Sequence, residues 1–221
     1  MGGDKSGEIK HIGGPEAFRT AFAVSRETVD RLTAYAALLK RWQKTINLVA
    51  PSTLDDLWHR HFADSAQLLQ HAPGAVHWLD LGSGAGFPGL VLAIMAKERG
   101  GTRHTLVESD TRKAAFLREV ARETGVAVEI VAGRIESAQT ADRLREINCV
   151  TARALAPLPR LLPLAALFFR HGTIGLFLKG RDVTGELEEV AAAWDFRSEL
   201  LPSVTDREGR IVRLSELQVK R

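Results

Sequence analysis

The sequence is poor in cysteine and contains no long apolar run. Cys149 is the only cysteine among 221 residues, so no disulfide can form within the chain and a cysteine-based zinc site is excluded. This usage fits a reducing compartment, and we expect a cytoplasmic protein. The longest apolar run, Leu161 to Phe169, contains Pro163 and is about half of the roughly 18 residues that a membrane span needs. We therefore expect no membrane partner.

Histidine clustering and excess charge are also lacking. Of the seven histidines only His59 and His61 stand close together, and their spacing points them to different faces of a predicted helix, so we expect no metal. The net charge is only +3, which identifies no partner by itself. However, 22 of the 30 basic residues are arginine, which favours contacts with phosphates or bases.

One segment does combine cations with aromatic rings. Trp42 and Trp58 lie among its basic residues, a composition that suits nucleic acid. The same pattern fits solvated helix faces above two core tryptophans, and the sequence alone gives both interpretations similar weight. The basic residues of this segment are Lys40, Arg41, Lys44, His59, Arg60 and His61.

Helical patterns occupy the first third of the chain. Apolar residues recur at three- and four-residue steps over residues 25–49, which predicts an amphipathic helix that Pro51 terminates. Ser52 and Asp55 have the spacing of a capping box and predict a second helix that runs to about residue 71. We expect a flexible leader over residues 1–14 and a helical extension over residues 15–74.

From residue 75 onward, short apolar segments alternate with helical ones. This alternation predicts an α/β fold with a mostly parallel seven-stranded sheet and helices on both faces, over residues 75–221. Strands are predicted at 76–81, 104–108, 126–131, 149–152 and 172–178, followed by an antiparallel pair at 196–201 and 210–214. Helices are predicted at 89–97, 111–124, 159–169 and 186–194. Ligands of such sheets bind at the carboxyl ends of the strands.

The segment that follows the first strand is rich in glycine. It reads Asp80-Leu81-Gly82-Ser83-Gly84-Ala85-Gly86-Phe87-Pro88-Gly89. Glycines allow positive φ angles and let a ligand approach the backbone closely. Because Gly84-x-Gly86-x-x-Gly89 also matches the dinucleotide fingerprint, the glycines alone leave a dinucleotide oxidoreductase as an alternative.

Acidic residues near three strand ends favour S-adenosylmethionine as the cofactor. Asp80 would repel a pyrophosphate, but it can accept from the amino group of S-adenosylmethionine, directly or through water; a strand-end aspartate can also simply cap the next helix. Glu108 ends the second strand and can hold both ribose hydroxyls, although dinucleotide enzymes use the same device. After the third strand, the Ile135 N–H and the Glu136 carboxylate can bind adenine, unless Glu136 only caps or solvates a helix.

Several segments, in order over about residues 38–214, together resemble one enzyme family. They are Asn47-Leu48, His61-Phe62-Ala63-Asp64-Ser65, the glycine loop, Glu108-Ser109-Asp110-x-Arg112-Lys113-x-x-Phe116-Leu117, Gly133-Arg134-Ile135-Glu136, Thr151-Ala152-Arg153-Ala154 and Leu178-Lys179-Gly180. The resemblance is to the bacterial 16S ribosomal RNA guanine-N7 methyltransferases, the RsmG or GidB family. Two departures are Asn148-Cys149, where an acidic-hydrophobic pair is common, and the glycine-rich leader before Pro15.

The resemblance implies a Rossmann-like class I S-adenosylmethionine-dependent methyltransferase with an N-terminal helical extension. It implies methylation of guanine N7 in 16S ribosomal RNA, at the guanine usually numbered 527, with the RNA or the small-subunit particle as partner and a monomer as the expected state. It maps cofactor contacts onto Gly82, Phe87, Ile135, Glu136 and Arg153. Together with the strand-end residues, the predicted cofactor set is Asp80, Gly82, Ser83, Gly84, Phe87, Glu108, Ile135, Glu136 and Arg153.

The chemistry of guanine N7 predicts that no residue acts as a general base. N7 is an exposed lone pair on the major-groove edge, so in-line alignment with the methyl donor can contribute about 7–11 kcal/mol without proton transfer. The predicted RNA contacts are Lys40, Arg41, Lys44, Arg60, Arg112, Lys113 and Lys179, although Lys179 equally fits an ordinary loop lysine. His61 and Asp64, at i and i+3, can form a local pair with a structural or an RNA-adjacent role.

Three other functions stay open on the sequence. One is a methyltransferase of the same class that acts on another RNA, a small molecule or a protein. The second is an RNA-binding module that senses the cofactor without turnover. The third is the dinucleotide oxidoreductase.

Overall fold

A seven-stranded sheet organises the chain. The structure, a computed structural model, describes residues 10–137, 144 and 146–220. The sheet order is β3-β2-β1-β4-β5-β7-β6. The pairs from β3 to β5 are parallel, whereas β7 runs antiparallel to both β5 and β6. The strands are β1 (His77–Leu81), β2 (Arg103–Glu108), β3 (Glu129–Ala132), β4 (Cys149–Arg153), β5 (Ile174–Lys179), β6 (Trp194–Pro202) and β7 (Arg210–Val219).

Strand order reverses between β1 and β4, the third and fourth strands of the sheet. The chain moves outward from β1 through β2 to β3, and then returns to place β4 on the other side of β1. In a parallel sheet this reversal opens a crevice above the carboxyl ends of the two central strands. The predicted α/β fold with a mostly parallel seven-stranded sheet is confirmed.

Helices cover both faces of the sheet. They are α1 (Pro15–Phe22), α2 (Arg26–Trp42), α4 (Gly89–Ala96), α5 (Thr111–Thr124), α6 (Leu158–Ala166) and α7 (Val183–Val190). Between α2 and α4 a composite segment, here α3, joins a π-helical stretch Trp58–Ala63, an α-helical turn Asp64–Ala66 and a 3-10 turn Gln67–His71. No helix in the described ranges combines the length and the apolar character needed to cross a membrane.

The predicted bounds of α5 are confirmed because its end signals are local. Asp110 precedes the helix and its carboxylate accepts from the N–H groups of Arg112 and Lys113, at 2.8 and 3.3 Å. Gly125 follows it in a left-handed conformation, with φ of 62°. An aspartate N-cap and a glycine after the last turn are the strongest sequence signals of helix ends.

The predicted start of α2 and the predicted end of the second helical segment near residue 71 are confirmed, but the end of the first and the start of the second are wrong. Helix α2 ends at Trp42 instead of continuing to residue 49, because the Gln43 side chain takes over the backbone groups beyond it. Its Oε1 accepts from the N–H groups of Leu48 and Val49, at 2.9 and 3.0 Å, and its Nε2 donates to the Val49 carbonyl at 2.8 Å. The expected capping box does not start a helix either, since a short 3-10 turn over Pro51–Thr53 has no side-chain cap.

The helical extension and the sheet share one hydrophobic core. Buried residues of α1, α2 and α3, among them Phe18, Leu32 and Phe62, belong to the same apolar cluster as Leu90 of α4 and Phe116 of α5. Burial of a shared core ties the extension to one face of the sheet through the hydrophobic effect.

The described end of the predicted leader also packs against α3. Ile12 is 6% exposed, and its N–H donates to His59 Nδ1 at 3.3 Å. His11 pairs with Asp56 at 2.8 Å. The remainder of that leader, residues 1–9, lies outside the described residues.

The loop between β6 and β7 reaches back to α3 from the far end of the chain. The Thr205 hydroxyl donates to Asp64 Oδ1 at 2.8 Å. The Thr205 carbonyl bonds to His59 Nε2 at 2.9 Å, and the Val204 N–H donates to Gln67 Oε1 at 2.8 Å. The last hairpin of the sheet therefore fixes the position of α3.

Asn148 precedes β4 and supports the start of two adjacent strands. Its Oδ1 accepts from the N–H groups of Val76 and His77, at 3.2 and 2.9 Å. The amide thus joins the start of β1 to the start of β4.

Candidate active site

The glycine loop leaves β1 and turns sharply into α4. Gly82, Gly84 and Gly86 have φ angles of 63°, 56° and 94°, a left-handed region in which a side chain is strained. The loop is tied to β2, because the Ser83 N–H donates to the Val107 carbonyl at 3.0 Å and the Gly84 N–H donates to Glu108 Oε2 at 2.7 Å. The turn is therefore held at the carboxyl ends of two adjacent strands.

A cavity of about 460 Å³ opens above these strand ends; we call it the first cavity. Its volume lies in the range of small-molecule sites. Every residue predicted to bind the cofactor lines it except Asp80. The lining residues of that set are Gly82, Ser83, Gly84, Phe87, Glu108, Ile135, Glu136 and Arg153.

Asp80 lies behind the glycine loop and is 2% exposed. Its Oδ2 accepts from the Gly89 N–H at 3.2 Å, and its Oδ1 accepts from the Thr151 hydroxyl at 2.9 Å. This geometry matches the helix-capping alternative, because the carboxylate serves the first turn of α4 and does not line the first cavity. Burial raises the pKa of Asp80 to about 6, against the lowering effect of its hydrogen bonds to Ser83, Thr151 and Gly89 and of the Arg153 charge.

Glu108 joins the loop to the start of α5. Its Oε2 accepts from Gly84 N–H, and its Oε1 accepts from the Asp110 N–H at 2.8 Å. Each carboxylate oxygen has two lone pairs, so both oxygens can still accept a hydroxyl from a ligand in the first cavity. The two backbone bonds also fix the orientation of this carboxylate.

Phe87 lies between two rings that the helical extension supplies. Tyr35 of α2 stacks on one side, with ring centroids 5.5 Å apart, and His61 of α3 stacks on it with centroids 4.8 Å apart. The Tyr35 hydroxyl also donates to the Ala85 carbonyl in the loop. Burial raises the pKa of Tyr35 well above its ordinary value, so this hydroxyl keeps its proton and remains a donor.

Arg153, at the end of β4, is held by groups of α3. Its Nη1 donates to the Arg60 carbonyl at 2.8 Å and to Asp64 Oδ2 at 3.1 Å, and its Nη2 bonds to His61 Nδ1. Its guanidinium carbon also lies 5.0 Å from the centre of the Phe87 ring, within the range of a cation–π contact. The side chains of His61 and Asp64 thus meet at Arg153, and the bond between the two residues is a backbone one, from the Asp64 N–H to the His61 carbonyl.

A second cavity of about 520 Å³ adjoins the first. Leu48, Val49, Arg153 and Ala154 line both cavities. Polar and charged residues that line only the second cavity include Arg60, His61, Asp64, Lys179, Asp206 and Arg210. Ligands bound in the two cavities would meet at the four shared residues.

The residues predicted to bind RNA occupy three different settings. Lys40, Arg41 and Lys44 are exposed near the end of α2. Lys113 lines the first cavity and Arg60 the second, whereas Arg112 pairs with Asp110 at 3.4 Å on the surface. Arg112 and Lys113 place two cations at the start of α5, where positive charge opposes the helix dipole. The Asp110 carboxylate, which caps that helix, offsets this cost.

Lys179 is already paired. Its Nζ lies 2.7 Å from Glu186 Oε2 and donates to the Ala156 carbonyl at 3.1 Å. Its side chain is only 10% exposed. This environment matches the structural alternative to an RNA contact.

Several residues that line the two cavities were not predicted from the sequence. Leu48 and Val49 form a wall common to both, and Leu155 lines the first. Gln43 holds this wall in place through bonds to Leu48 and Val49. No sequence motif predicts these bonds, because they form only after the chain has turned back over several residues. Only the Asn47-Leu48 pair, noted as a motif, pointed to this segment.

No candidate metal site is found in the ranges that the structure describes. No group of three or more His, Cys, Asp or Glu side chains lies in a ligating arrangement there.

This sheet order, with a glycine loop after β1 and carboxylates after β2 and β3, defines a Rossmann-like methyltransferase fold. A family model described as rRNA small subunit methyltransferase G matches residues 28–212, and the chain belongs to this family. The family expected from the motifs is thereby confirmed.

Relatives named "Ribosomal RNA small subunit methyltransferase G" match nearly the whole chain. The protein of Rhodospirillum centenum is 56% identical over 201 residues, which cover 90% of this chain and 89% of the relative. That of Parvibaculum lavamentivorans is 49% identical over 216 residues, which cover 94% and 95%.

Solved structures confirm the fold at low sequence identity. An O-methyltransferase from Bacillus cereus in complex with SAH has a TM-score of 0.59 at 14% identity and covers 95% of this chain and 100% of that one. Cofactor-bound Rv0187 from MTB has a TM-score of 0.57 at 17% identity, with 93% and 97% covered.

Asp80 should make stability depend on pH. Its pKa is about 6 in the folded protein against an ordinary 3.8, so the folded state holds the proton more tightly and stability is lost as the pH rises through about 4 to 6. We expect the Asp80→Asn variant to remove this loss, which is on the order of 2–3 kcal/mol. The measurement is the change in urea unfolding free energy between pH 4.5 and 7.5 in both proteins.

Comparing the two slopes cancels the contribution of other groups. His61 has the opposite effect on the pH dependence of stability. Its pKa is lowered to about 3 in the folded protein, so its contribution to the unfolding free energy falls as the pH drops below 6.5. Both proteins contain His61, so this effect cancels in the comparison. Equal slopes in the two proteins would show that Asp80 does not titrate in this range.

Proposed function

We propose that this protein transfers the methyl group of S-adenosylmethionine to N7 of a guanine in 16S ribosomal RNA. The observation that carries the proposal is the shared boundary of the two cavities. The first has the glycine loop and carboxylates that suit the methyl donor, and the second opens beside it with space for a base. Membership of a family of small-subunit rRNA methyltransferases supports the RNA as substrate.

The lining of the first cavity fits S-adenosylmethionine. Glu108 offers two fixed carboxylate oxygens that can accept from ribose hydroxyls. Ile135 and Glu136, beyond β3, offer a backbone N–H and a carboxylate for adenine. The open glycine turn leaves room for the amino-acid end, and when bound the cofactor supplies a methyl group on a cationic sulfur.

The chain itself need only hold the reactants in line. Guanine N7 carries a lone pair and no proton at neutral pH, so no residue has to act as a general base. Alignment in adjoining cavities is then the main source of rate enhancement. The walls formed by Leu48, Val49 and Ala154 would exclude water from the point where the cavities meet.

Charge pairing in the second cavity suits a reaction that leaves a positive guanine. Arg153 would repel that charge, but the Asp64 carboxylate lies 3.1 Å from its guanidinium. Glu186 neutralises Lys179 in the same way. RNA phosphates would then be bound by exposed cations outside the cavities, chiefly Lys40, Arg41, Lys44 and Arg112, together with Arg60 and Lys113, which line the second and the first cavity.

The decisive experiment maps N7-methylguanosine in 16S ribosomal RNA from cells with and without this gene. We expect one site to lose its methyl group in the deletion strain and to regain it when the gene is restored. Purified protein with labelled S-adenosylmethionine should then label that site in RNA or in small-subunit particles from the deletion strain. An unchanged map, together with no labelling of either substrate, would exclude the proposal.

Gly82→Arg should abolish cofactor binding. The residue lines the first cavity at φ 63°, and a β-carbon there would lie 2.5 Å from Leu155 Cδ1, so the arginine side chain must enter the cavity or disrupt its wall. We expect at least a roughly 100-fold loss of affinity, about 3 kcal/mol, by calorimetry with S-adenosylmethionine. The control is Gly185→Arg, where nothing lies within 4 Å. Unchanged affinity in the Gly82 variant would show that the loop does not form the site.

Lys44→Ala should weaken RNA binding through charge alone. Its ammonium is exposed near the end of α2, so its removal should reduce the salt dependence of RNA affinity by about one charge. The slope of affinity against salt concentration measures this directly. Lys97→Ala is the matched control, because this exposed lysine follows the end of α4 that is remote from the glycine loop and lines neither cavity. If the slope equals that of the unmodified protein, Lys44 does not contact the RNA.

A further inference from the structure

His61 lies at the meeting point of the two cavities but has no role in the function proposed above. It lines the second cavity and is 7% exposed. Its ring makes two hydrogen bonds: Nδ1 bonds to the Arg153 guanidinium, and Nε2 lies 2.8 Å from the Thr53 hydroxyl. An imidazole so buried and fully bonded has one defined orientation.

The partners of His61 fix its tautomer. A guanidinium can only donate hydrogen bonds, so Nδ1 must be the acceptor and Nε2 must carry the proton. The Thr53 hydroxyl donates to the Ala50 carbonyl at 2.7 Å, which leaves its oxygen free to accept from His61. The ring is therefore neutral, with a directed acceptor that faces Arg153.

Arg153 depends on this acceptor for its second anchor. Its Nη1 is held by the Arg60 carbonyl and by Asp64, whereas His61 is the partner of Nη2. Two anchors on one nitrogen leave the guanidinium able to pivot about it. The bond from His61 prevents that pivot, and it does so at a residue that lines both cavities.

We propose that His61 is a positioning residue for methyl transfer, which fixes the Arg153 guanidinium at the boundary of the two cavities through the hydrogen bond at Nδ1. The inference rests on the proposed function. It assigns to His61 no contact with the reacting atoms and no proton transfer. Its contribution is the geometry in which donor and base meet.

The surroundings keep His61 neutral over the working pH range. Burial, together with the positive charges of Arg153 and Arg60, lowers its pKa to about 3. Asp64 is the anionic group that faces the same guanidinium, while Thr53 and Phe87, which also contact the ring, are uncharged. A positioning role therefore predicts that kcat shows no step near pH 6.5, where a histidine general base would give one.

The test compares two substitutions of His61 with methyl transfer to RNA as the readout. His61→Phe keeps a ring against Phe87 but removes the acceptor, and we expect kcat to fall about 10- to 100-fold, the effect of a small misplacement at a reacting centre. His61→Asn restores an acceptor near the position of Nδ1 and should recover most of that loss. His104→Phe is the control, because His104 is also buried, at 5% exposure, lines neither cavity, and hydrogen-bonds Thr102 beside the start of β2.

A double-mutant cycle with Arg153→Ala separates positioning from simple stability. If His61 acts through Arg153, adding His61→Phe to Arg153→Ala should lower kcat by less than twofold. Additive losses, a kcat within twofold of the unmodified protein in His61→Phe, or an equal loss in His104→Phe would each overturn the inference. The unmodified protein distinguishes the two proposals, since its failure to methylate RNA would count against the function itself.

Nitrogen NMR of labelled histidine gives a measurement that needs no activity. The unmodified protein should show His61 as the Nε2–H tautomer, and Arg153→Ala should change that signal while leaving His59 unaltered. An Nδ1–H tautomer in the unmodified protein would overturn the inference even if His61→Phe does not fold.

Discussion

The stack of Tyr35, Phe87 and His61 is the contact on which the site depends. Phe87 belongs to the glycine loop, whereas its two neighbours come from α2 and α3 of the extension. A loop of glycines has little side-chain packing of its own and costs much conformational entropy to order. Aromatic packing, together with the bond from Tyr35 to Ala85, supplies the stabilisation that the loop lacks. The extension is thus part of the site and shares the core of the sheet.

Local signals explain which parts of the fold the sequence could predict. The ends of α5 were predicted correctly because an aspartate cap and a following glycine lie within a few residues of those ends. The strands were predicted from apolar runs that fit a buried parallel sheet. The end of α2 was predicted wrongly, because Ile46 continues the apolar period and packs on the core although Gln43 has already diverted the backbone. The spacing of apolar residues indicates which of them are buried, and a buried residue need not lie in a helix.

The candidate site was predictable only where strand ends bring residues together. Gly82, Glu108 and Ile135 were placed by the rule that parallel strands end at one edge, and they line the first cavity. The environment of Arg153 was not predictable, because its partners on α3 lie far away in sequence. His61, for example, is separated from Arg153 by 92 residues. For Asp80 the position at the strand end was predicted correctly, but the direction of its side chain was not. Packing in the folded protein decides which way the carboxylate faces.

The contacts between the β6–β7 loop and α3 bear on the order in which parts of the protein fold. Asp64 holds Arg153 and is itself held by Thr205, 141 residues later in the chain. Contacts of such long separation form late, since the intervening chain must first be closed. A nascent chain still missing its final hairpin would therefore have the sheet centre and the glycine loop, but a loosely seated Arg153. Synthesis of the last strands would complete the site.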